Sequence, residues 1–426
     1  MVPMSPPAPL RLRLPRVLLD PQQQDLPCGD QEGLLTVELS LAEGRIARIQ
    51  PSPGADAPLA LTPLVDPHVH LDKAFSWSAF PNPSGTMASA LAANLREGER
   101  RTREQVLERG ERALEQAWRY GLRALRSHVD SGGAGAEPSW EALLELRDRW
   151  RGRVELQLVA LVPLPLWSTA AGRQLAARVA AAGGLLGGVL GPPFPPGPEA
   201  AAELLALLQL ADRLGCGVDL HVDEGGDQWG YGVGLLTSLL ERHGVAIPVT
   251  CSHSSSMALL PEPHQRKLAE RMAAVGLAVV ALPSTNFWLL GRRHGLTLAQ
   301  RPVAPVQLLQ QAGVAVALGA DNVQDPWFPG GDFDPLELVR LAGPSVHLAP
   351  WQRQGLMPFT SVPARLLGLP WDGVVRQGAP ADLVVLGAST WSELLARTSQ
   401  RRVLRAGQWL PPPLAQQPDA RLAALP

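Results

Sequence analysis

The sequence predicts an α/β protein: a TIM (β/α)8 barrel with a small β-sandwich formed from its N- and C-terminal segments. Three observations carry this prediction. Eight short apolar runs alternate with longer amphipathic ones from Leu64 to about residue 320, the way parallel βα units repeat. The 426 residues suffice for a barrel of ordinary size with a small appended domain. Short β-like runs separated by turn signals precede the first apolar run and return after about Arg365.

Taken in order, residues 10 to 50 carry the runs LLTVELS and RIARIQ, split by a turn at Glu43 and Gly44. The eight barrel runs then follow: PLVDP near Val65, LRALRS near Leu125, VELQLVAL near Leu158, GLLGGVL near Leu186, CGVDL near Val218, AIPVTC near Val249, GLAVVAL near Val279 and VAVALG near Ala317. The clearest helices between them are Thr102 to Tyr120, Glu199 to Leu214, and LLTSLLERHG, which stops at Gly244. Late β runs lie in GVVRQGAPADLVVLG and RRVLRAGQWL, before a frayed tail, PPPLAQQPDARLAALP. The division expected is 1–62 and 365–426 for the sheet domain, pairing into one small sheet unit, and 63–364 for the barrel.

Composition narrows the partners. The 38 basic and 40 acidic residues leave a net charge of −2 and form no basic block, which argues against nucleic acid and anionic membrane. The stretch MVPMSPPAPLRLRLPRVLLD lacks the apolar run of about 7 to 15 residues that a secretory signal requires. The most apolar later run, LQLVALVPLPLW, falls short of the roughly 18 residues of a membrane span and contains prolines. Cys28, Cys216 and Cys251 form an odd set without C-x-x-C, so neither a disulfide framework nor a cysteine zinc cluster is expected. The expectation is a soluble, cytoplasmic protein; whether it forms a homo-oligomer is left open.

Unusual polar residues gather at strand ends. In PHVHLDK, the strand period of two lets His68 and His70 aim at one point. Nearly all are expected just past a strand's end: His128 and Asp130 after the second run, His221 and Glu224 after the fifth, His253 after the sixth and Asp321 after the eighth. A lone histidine at such a place is more often a hydrogen-bonded core or surface residue than a ligand, and an Asp before Asn is usually a turn. Five of the nine histidines nevertheless fall on four strands of one barrel, at the face where such barrels place their active sites. His243, His264, His294 and His347 read as residues of helix ends or loops; Lys73 could reach into the site from beside Asp72, but reads first as a solvated strand-end lysine. Met257 and Trp77, Trp229, Trp288 and Trp327 each read equally well as pocket lining or as packing.

The ligand set that follows is His68, His70, His221 and Asp321. Imidazoles plus one carboxylate suit Zn or Fe(II) and leave a position for water. The cation lowers the pKa of that water to about 7, which makes hydroxide the expected nucleophile. A second ion usually needs a bridging group such as a carboxylated lysine on the fourth strand. The only lysines are Lys73 and Lys267, so one ion is expected.

The stretches PHVHLDK, SHVDSGG, HVDEGGD, SHSSSM, TNFWLLGRR and GADNVQDPW, with the trailing GVVRQGAPADLVVL, resemble the amidohydrolase superfamily. Within it, they are similar to the cytosine deaminase-like group that includes N-isopropylammelide hydrolases. The resemblance spans about residues 10 to 410 and implies the same four metal ligands. It also implies that Glu224 shuttles a proton to a ring nitrogen, that His253 positions and polarises the metal-bound hydroxide, and that Asp321 accepts the proton of the attacking water. The reaction implied is hydrolytic deamination of a small heterocycle, a cyclic amidine or nucleobase-like ring, with release of ammonia.

The chain departs from cytosine deaminases at two positions. Where they resemble FPQEG, this chain has VPLPLW, with Leu164 in place of the glutamine that bonds the pyrimidine edge. Asn322 stands where the group has a second Asp. These two, with His128 and Trp327, are the expected substrate-facing residues, and the change leaves cytosine and a less polar or N-substituted ring, such as an alkylamino-triazine or another cyclic amidine, as comparable candidates. The alternatives are a hydrolase of a cyclic amide or N-acyl bond on the same site, and a catalytically idle ligand-binding barrel.

Overall fold

An antiparallel meander opens the chain, β1 (Leu10–Pro15), β2 (Leu34–Ala42) and β3 (Arg45–Pro51), with the β2–β3 turn at Glu43 and Gly44. The structure is a computed structural model that describes residues 8–412, apart from 24, 196, 298–299, 301 and 397–399. A two-residue strand, β4 (Ala60–Leu61), leads into eight parallel strands. These are β5 (Leu64–Val69), β6 (Leu122–Asp130), β7 (Glu155–Leu161), β8 (Leu185–Leu190), β9 (Val218–Val222), β10 (Val249–His253), β11 (Ala278–Ala281) and β12 (Ala315–Leu318). Each pairs with its sequence neighbour, the order of a (β/α)8 barrel. All eight coincide with the apolar runs, because strands covered on both faces leave little room for polar positions.

Closure comes from a single bridge between Val69 and Asp321, where the Asp321 amide donates to the His68 carbonyl at 2.9 Å. The Asp66 carboxylate reinforces it by accepting from the backbone amides of His68 and Ala320, each at 3.2 Å. The first and last strands are thus pinned together where His68 and Asp321 must meet.

Helices fill the crossovers: α1 (Met87–Arg100) and α2 (Arg103–Tyr120), then α3 (Ala136–Trp150), α4 (Ala170–Ala181), α5 (Glu199–Leu214), α6 (Tyr231–His243), α7 (Glu262–Ala274) and α8 (Pro283–Leu289). Thr102 caps α2, and Gln105 returns the bond to the Thr102 amide, a reciprocal capping box. The α2 residues Val106, Ala113, Leu114 and Ala117 are buried at helical spacing and join the barrel's apolar core. No helix among the described residues is long and apolar enough to cross a membrane.

The terminal strands make two sheets rather than one. The first is β1–β3; the second joins β4 to β13 (Leu383–Leu386), β14 (Arg401–Arg405) and β15 (Gln408–Trp409). Leu12, Leu14, Val37 and Leu39 from one sheet share a core with Leu383 and Leu404 from the other. The run GVVRQG forms no strand: Gly373 and Gly378 sit at φ of 82° and 83°, and Val375 makes only a bridge to Leu19. Residues 413–426 of the expected tail lie outside the described residues.

Candidate active site

Strand alternation builds the site from the barrel interior upward. On β5 Asp66 and His68 share one side, with His70 one residue past the strand; β6 supplies Arg126, His128 and Asp130 by the same alternation, and β9 Asp219 and His221. His128, Asp130, His221 and His253 lie in the last residues of their strands rather than past them. Asp223, His253 and Asp321 adopt left-handed backbone, at φ of 53°, 68° and 65°. Each such conformation costs about 1 kcal/mol or more in a non-glycine residue, so the turns that aim these side chains are held by their surroundings.

His68, His70 and His221 bring one ring nitrogen each within 4.8 Å of one another, and His68, His253 and Asp321 do the same. Asp321 Oδ1 lies 3.5 Å from His68 Nε2 and 3.3 Å from His70 Nε2. His68 Nε2, His70 Nδ1, His221 Nδ1, His253 Nε2 and Asp321 Oδ2 are buried with no hydrogen-bond partner among the described residues. Leaving one polar atom in this condition costs roughly 1–3 kcal/mol, and five in one cluster carry a penalty that a bound cation would lift. The sequence-derived ligands His68, His70, His221 and Asp321 all belong to this cluster, and their donor set fits a divalent transition metal.

Electrostatics agree with that fit. Burial, helped by mutual repulsion among the imidazoles, holds His68 and His221 well below the usual histidine range, so both are neutral at pH 7. Burial raises the Asp321 carboxyl, but His70 and His253 outweigh it and the net shift is downward, keeping it ionised. Glu224 is the opposite case: burial first, and then the Asp321 charge, push it well above the carboxylate range. Its Oε2 lies 3.5 Å from His253 Nε2. His253 itself is lowered by burial to about 4, and the Asn286 amide, 3.0 Å from Nδ1, turns the ring's other nitrogen toward Glu224.

These groups open onto a cavity of about 370 Å³ that also takes in Lys73, Asp130, Asn322 and Trp327. Leu91, Asp130, Leu161, Val189, Gly191 and Trp327 connect it to an outer cavity of about 770 Å³. Leu164 lines the outer cavity, and its Cδ2 lies 2.8 Å from where a Cβ on Gly188 would stand. Asn322 reaches the inner cavity while its amide donates to Asp325 at 2.8 Å. His128 lines neither cavity: it lies one strand layer deeper than Asp130, fully buried and stacked on His68 at 3.8 Å. Of the four candidate tryptophans Trp327 alone lines these cavities; Met257 is core and Trp229 is half exposed.

Lys73 is not a solvated lysine. It is buried, donates to Asp130 Oδ1 at 2.7 Å and faces the cavity. Asp130 Oδ2 in turn takes Arg101 and Asn94, both at 3.2 Å. Burial raises Asp130, yet Lys73 and Arg101 more than reverse it and hold the carboxyl far below its usual range. Sequence reasoning placed Asp130 at the strand end without a role. Its signal was the charged alternation Arg126, His128, Asp130 on an otherwise apolar strand, a pattern that points three polar groups into one barrel. Asn286 was visible only as part of TNFW.

Fold and site together define a barrel hydrolase, and the chain belongs to the amidohydrolase family, whose description matches residues 84–408. The family is metal dependent, in keeping with the His/His/His/Asp cluster. The chain is 35% identical over 389 residues to a pterin deaminase of Rhizobium rhizogenes (strain K84), covering 88% of each chain. It is 24% identical over 332 residues to the N-isopropylammelide isopropyl amidohydrolase of Pseudomonas sp. (strain ADP), covering 76% of this chain and 78% of the relative. In structure it is similar to the 5-methylcytosine deaminase of Klebsiella pneumoniae liganded with phosphonocytosine, with a TM-score of 0.79, 25% identity, and coverage of 95% of this chain and 98% of that one.

Proposed function

We propose that this chain is a metal-dependent hydrolytic deaminase of an amino-oxo heterocycle, with a pterin-type bicyclic ring as its first substrate class. The observation that carries the reading is the meeting of the unpaired ligand atoms with Glu224 and His253 in one cavity. The 35% identity to a pterin deaminase over 88% of both chains supports the choice of ring. A bicyclic ring also suits a cavity of about 370 Å³ that continues into a larger one.

His68, His70, His221 and Asp321 would hold one divalent ion, Zn or Fe(II). Such an ion acidifies water and supplies hydroxide near neutral pH. One ion is the simpler reading because Lys73 is committed to Asp130 and Lys267 is exposed on α7. Asp321, kept ionised, accepts a proton from the attacking water. Glu224, kept protonated by burial, delivers a proton to the ring nitrogen beside the attacked carbon. His253 steadies the oxygen that becomes the product carbonyl. The exocyclic nitrogen then leaves as ammonia, having gained one proton, and water's oxygen stays on the ring.

Lys73 and Asp130 supply the recognition that Leu164 cannot. An ammonium donor and a carboxylate acceptor, side by side on the cavity wall, match the C=O and N–H edge of an oxo-pyrimidine ring. Asn322 adds an amide to the same cavity. The test is a panel of pterin, cytosine, 5-methylcytosine and N-alkylated triazines, assayed for ammonia, alkylamine and ring-opened carboxylate with the metal-loaded protein. Ammonia from pterin, with the ring intact, is expected. A new carboxylate without ammonia would show a cyclic amide hydrolase instead, and no product from any ring would remove the deaminase reading.

A further inference from the structure

We propose that Arg126, Asp219 and Ser252 form a buried hydrogen-bond relay that fixes His68 as its Nδ1–H tautomer, aiming a bare Nε2 at the ligand cluster. The inference rests on the metal-centre reading above. None of the three residues lines the active-site cavity, so they act as positioning residues through His68.

Donors and acceptors along the chain of contacts decide where the His68 proton sits. Arginine is always charged and only donates. Arg126 is held at three points: Nε donates to Gln157 Oε1 at 2.8 Å, Nη2 to the Leu366 carbonyl at 2.6 Å, and Nη1 to Asp219 Oδ2 at 2.7 Å. That fixes the carboxylate opposite it. Its other oxygen, Oδ1, accepts from Ser252 Oγ at 2.9 Å.

A serine hydroxyl has one proton, and here Asp219 takes it. Ser252 Oγ also lies 2.7 Å from His68 Nδ1 and has only lone pairs left to offer there. The hydrogen of that contact must therefore sit on Nδ1. A neutral imidazole carries one N–H, so Nε2 is left with its lone pair. That atom is one of the buried, unpaired atoms of the cluster, grouped with His70 and His221.

The four side chains come from β6, β9, β10 and β5, and all are buried, Arg126 at 2% exposure and the others fully. His128 comes no closer to Asp219 than 3.7 Å, and toward Oδ2, so Oδ1 stays with Ser252. Without the relay, His68 would be free to adopt the Nε2–H form, which places a proton where the cation belongs. Partners of this kind typically alter metal affinity by about 10–100-fold when removed.

The test uses full-length protein with 15N-labelled histidine, freed of metal, and reads the two nitrogens of each ring by long-range 1H–15N NMR. His68 is expected to show a protonated Nδ1 and a bare Nε2; an Nε2–H signal overturns the relay. S252A is expected to release His68 from that tautomer and to raise the Kd for Zn2+ by about 10–100-fold. S252T, which keeps the hydroxyl, is expected to hold both at the wild-type values. An unchanged tautomer and an unchanged Kd in S252A would refute the proposal. Should S252A not fold, the wild-type spectrum decides alone. Because the spectrum is taken without metal or substrate, a failed relay leaves the deaminase reading standing, and a chain that deaminates no ring leaves the tautomer assignment intact.

Discussion

Two buried polar clusters lie side by side on this barrel, and they are finished differently. In the first, Arg101 bonds Asp72, Glu97 and Asp130, Arg109 bonds Glu97, and Lys73 bonds Asp130. Three cations meet three carboxylates there, and apart from Asp72 Oδ1 their charged atoms are partnered. In the second, atoms of His68, His70, His221, His253 and Asp321, and both nitrogens of His128 beneath them, are buried without a partner. Unequal satisfaction separates the two: the ion network braces α1 and α2 against β5 and β6 and turns its Lys73–Asp130 edge to the cavity, while the histidine cluster keeps its lone pairs for a ligand.

The comparison is sharpened first by Glu224→Gln, which keeps the shape but cannot carry a proton back and forth. It is expected to lower kcat about 10²–10⁴-fold, with metal content and denaturant midpoint unchanged. A comparable kcat would take the proton shuttle away from Glu224.

Arg101→Met should do the reverse, because it strands Asp72, Glu97 and Asp130 without their shared cation. The expected loss is about 3–5 kcal/mol of stability in urea unfolding, the scale seen when one partner of a buried ion network is removed. Zn2+ affinity of the folded fraction should stay near wild type. Loss of metal without loss of stability would mean that the two clusters are one device.

Acid should reveal the histidine cluster in the metal-free protein. Burial holds His253 near 4, against about 6.5 in the unfolded chain, so between these values the unfolded state binds the extra proton. Its stabilising share is therefore complete above pH 6.5 and lost as pH falls toward 4, a change of about 3 kcal/mol. Asp130, also held low, extends the loss below about pH 4 in the same direction. Asp66, Asp223, Asp325 and Glu224 are raised by burial and act in the opposite sense, so the His253 share is read as the difference in denaturant midpoint between wild type and His253→Asn, which should fall as the pH drops from 6.5 toward 4. A smaller effect is expected at the edge of the network: Thr102→Ala removes the α2 cap and should cost about 1 kcal/mol, with catalysis untouched.

How much could be read beforehand follows the range of each interaction. The eight strands were legible because a doubly covered strand is a continuous apolar run. His68 and His70 were legible because alternation is a local rule. Lys73 was misread because its burial depends on Asp130, 57 residues away, and on Arg101 beside it. His128 was placed facing the substrate because strand register alone does not say which of two inward positions forms the upper layer. The division of the end segments into two sheets was hidden by β4, two residues long, which pairs with β13 across the whole barrel. Ser252 opens SHSSSM and Asp219 lies in CGVDL, yet neither was singled out, since their role lies only in who donates to whom.

The claim on which the rest stands is that the unpaired atoms hold one catalytic ion. It is tested by stripping the protein of metal, adding Zn2+ or Fe(II) back in measured steps and following ammonia release from pterin. Activity should be absent at the start and rise linearly to a break at one ion per chain. Full activity in the stripped protein, or a break at two ions, would contradict it.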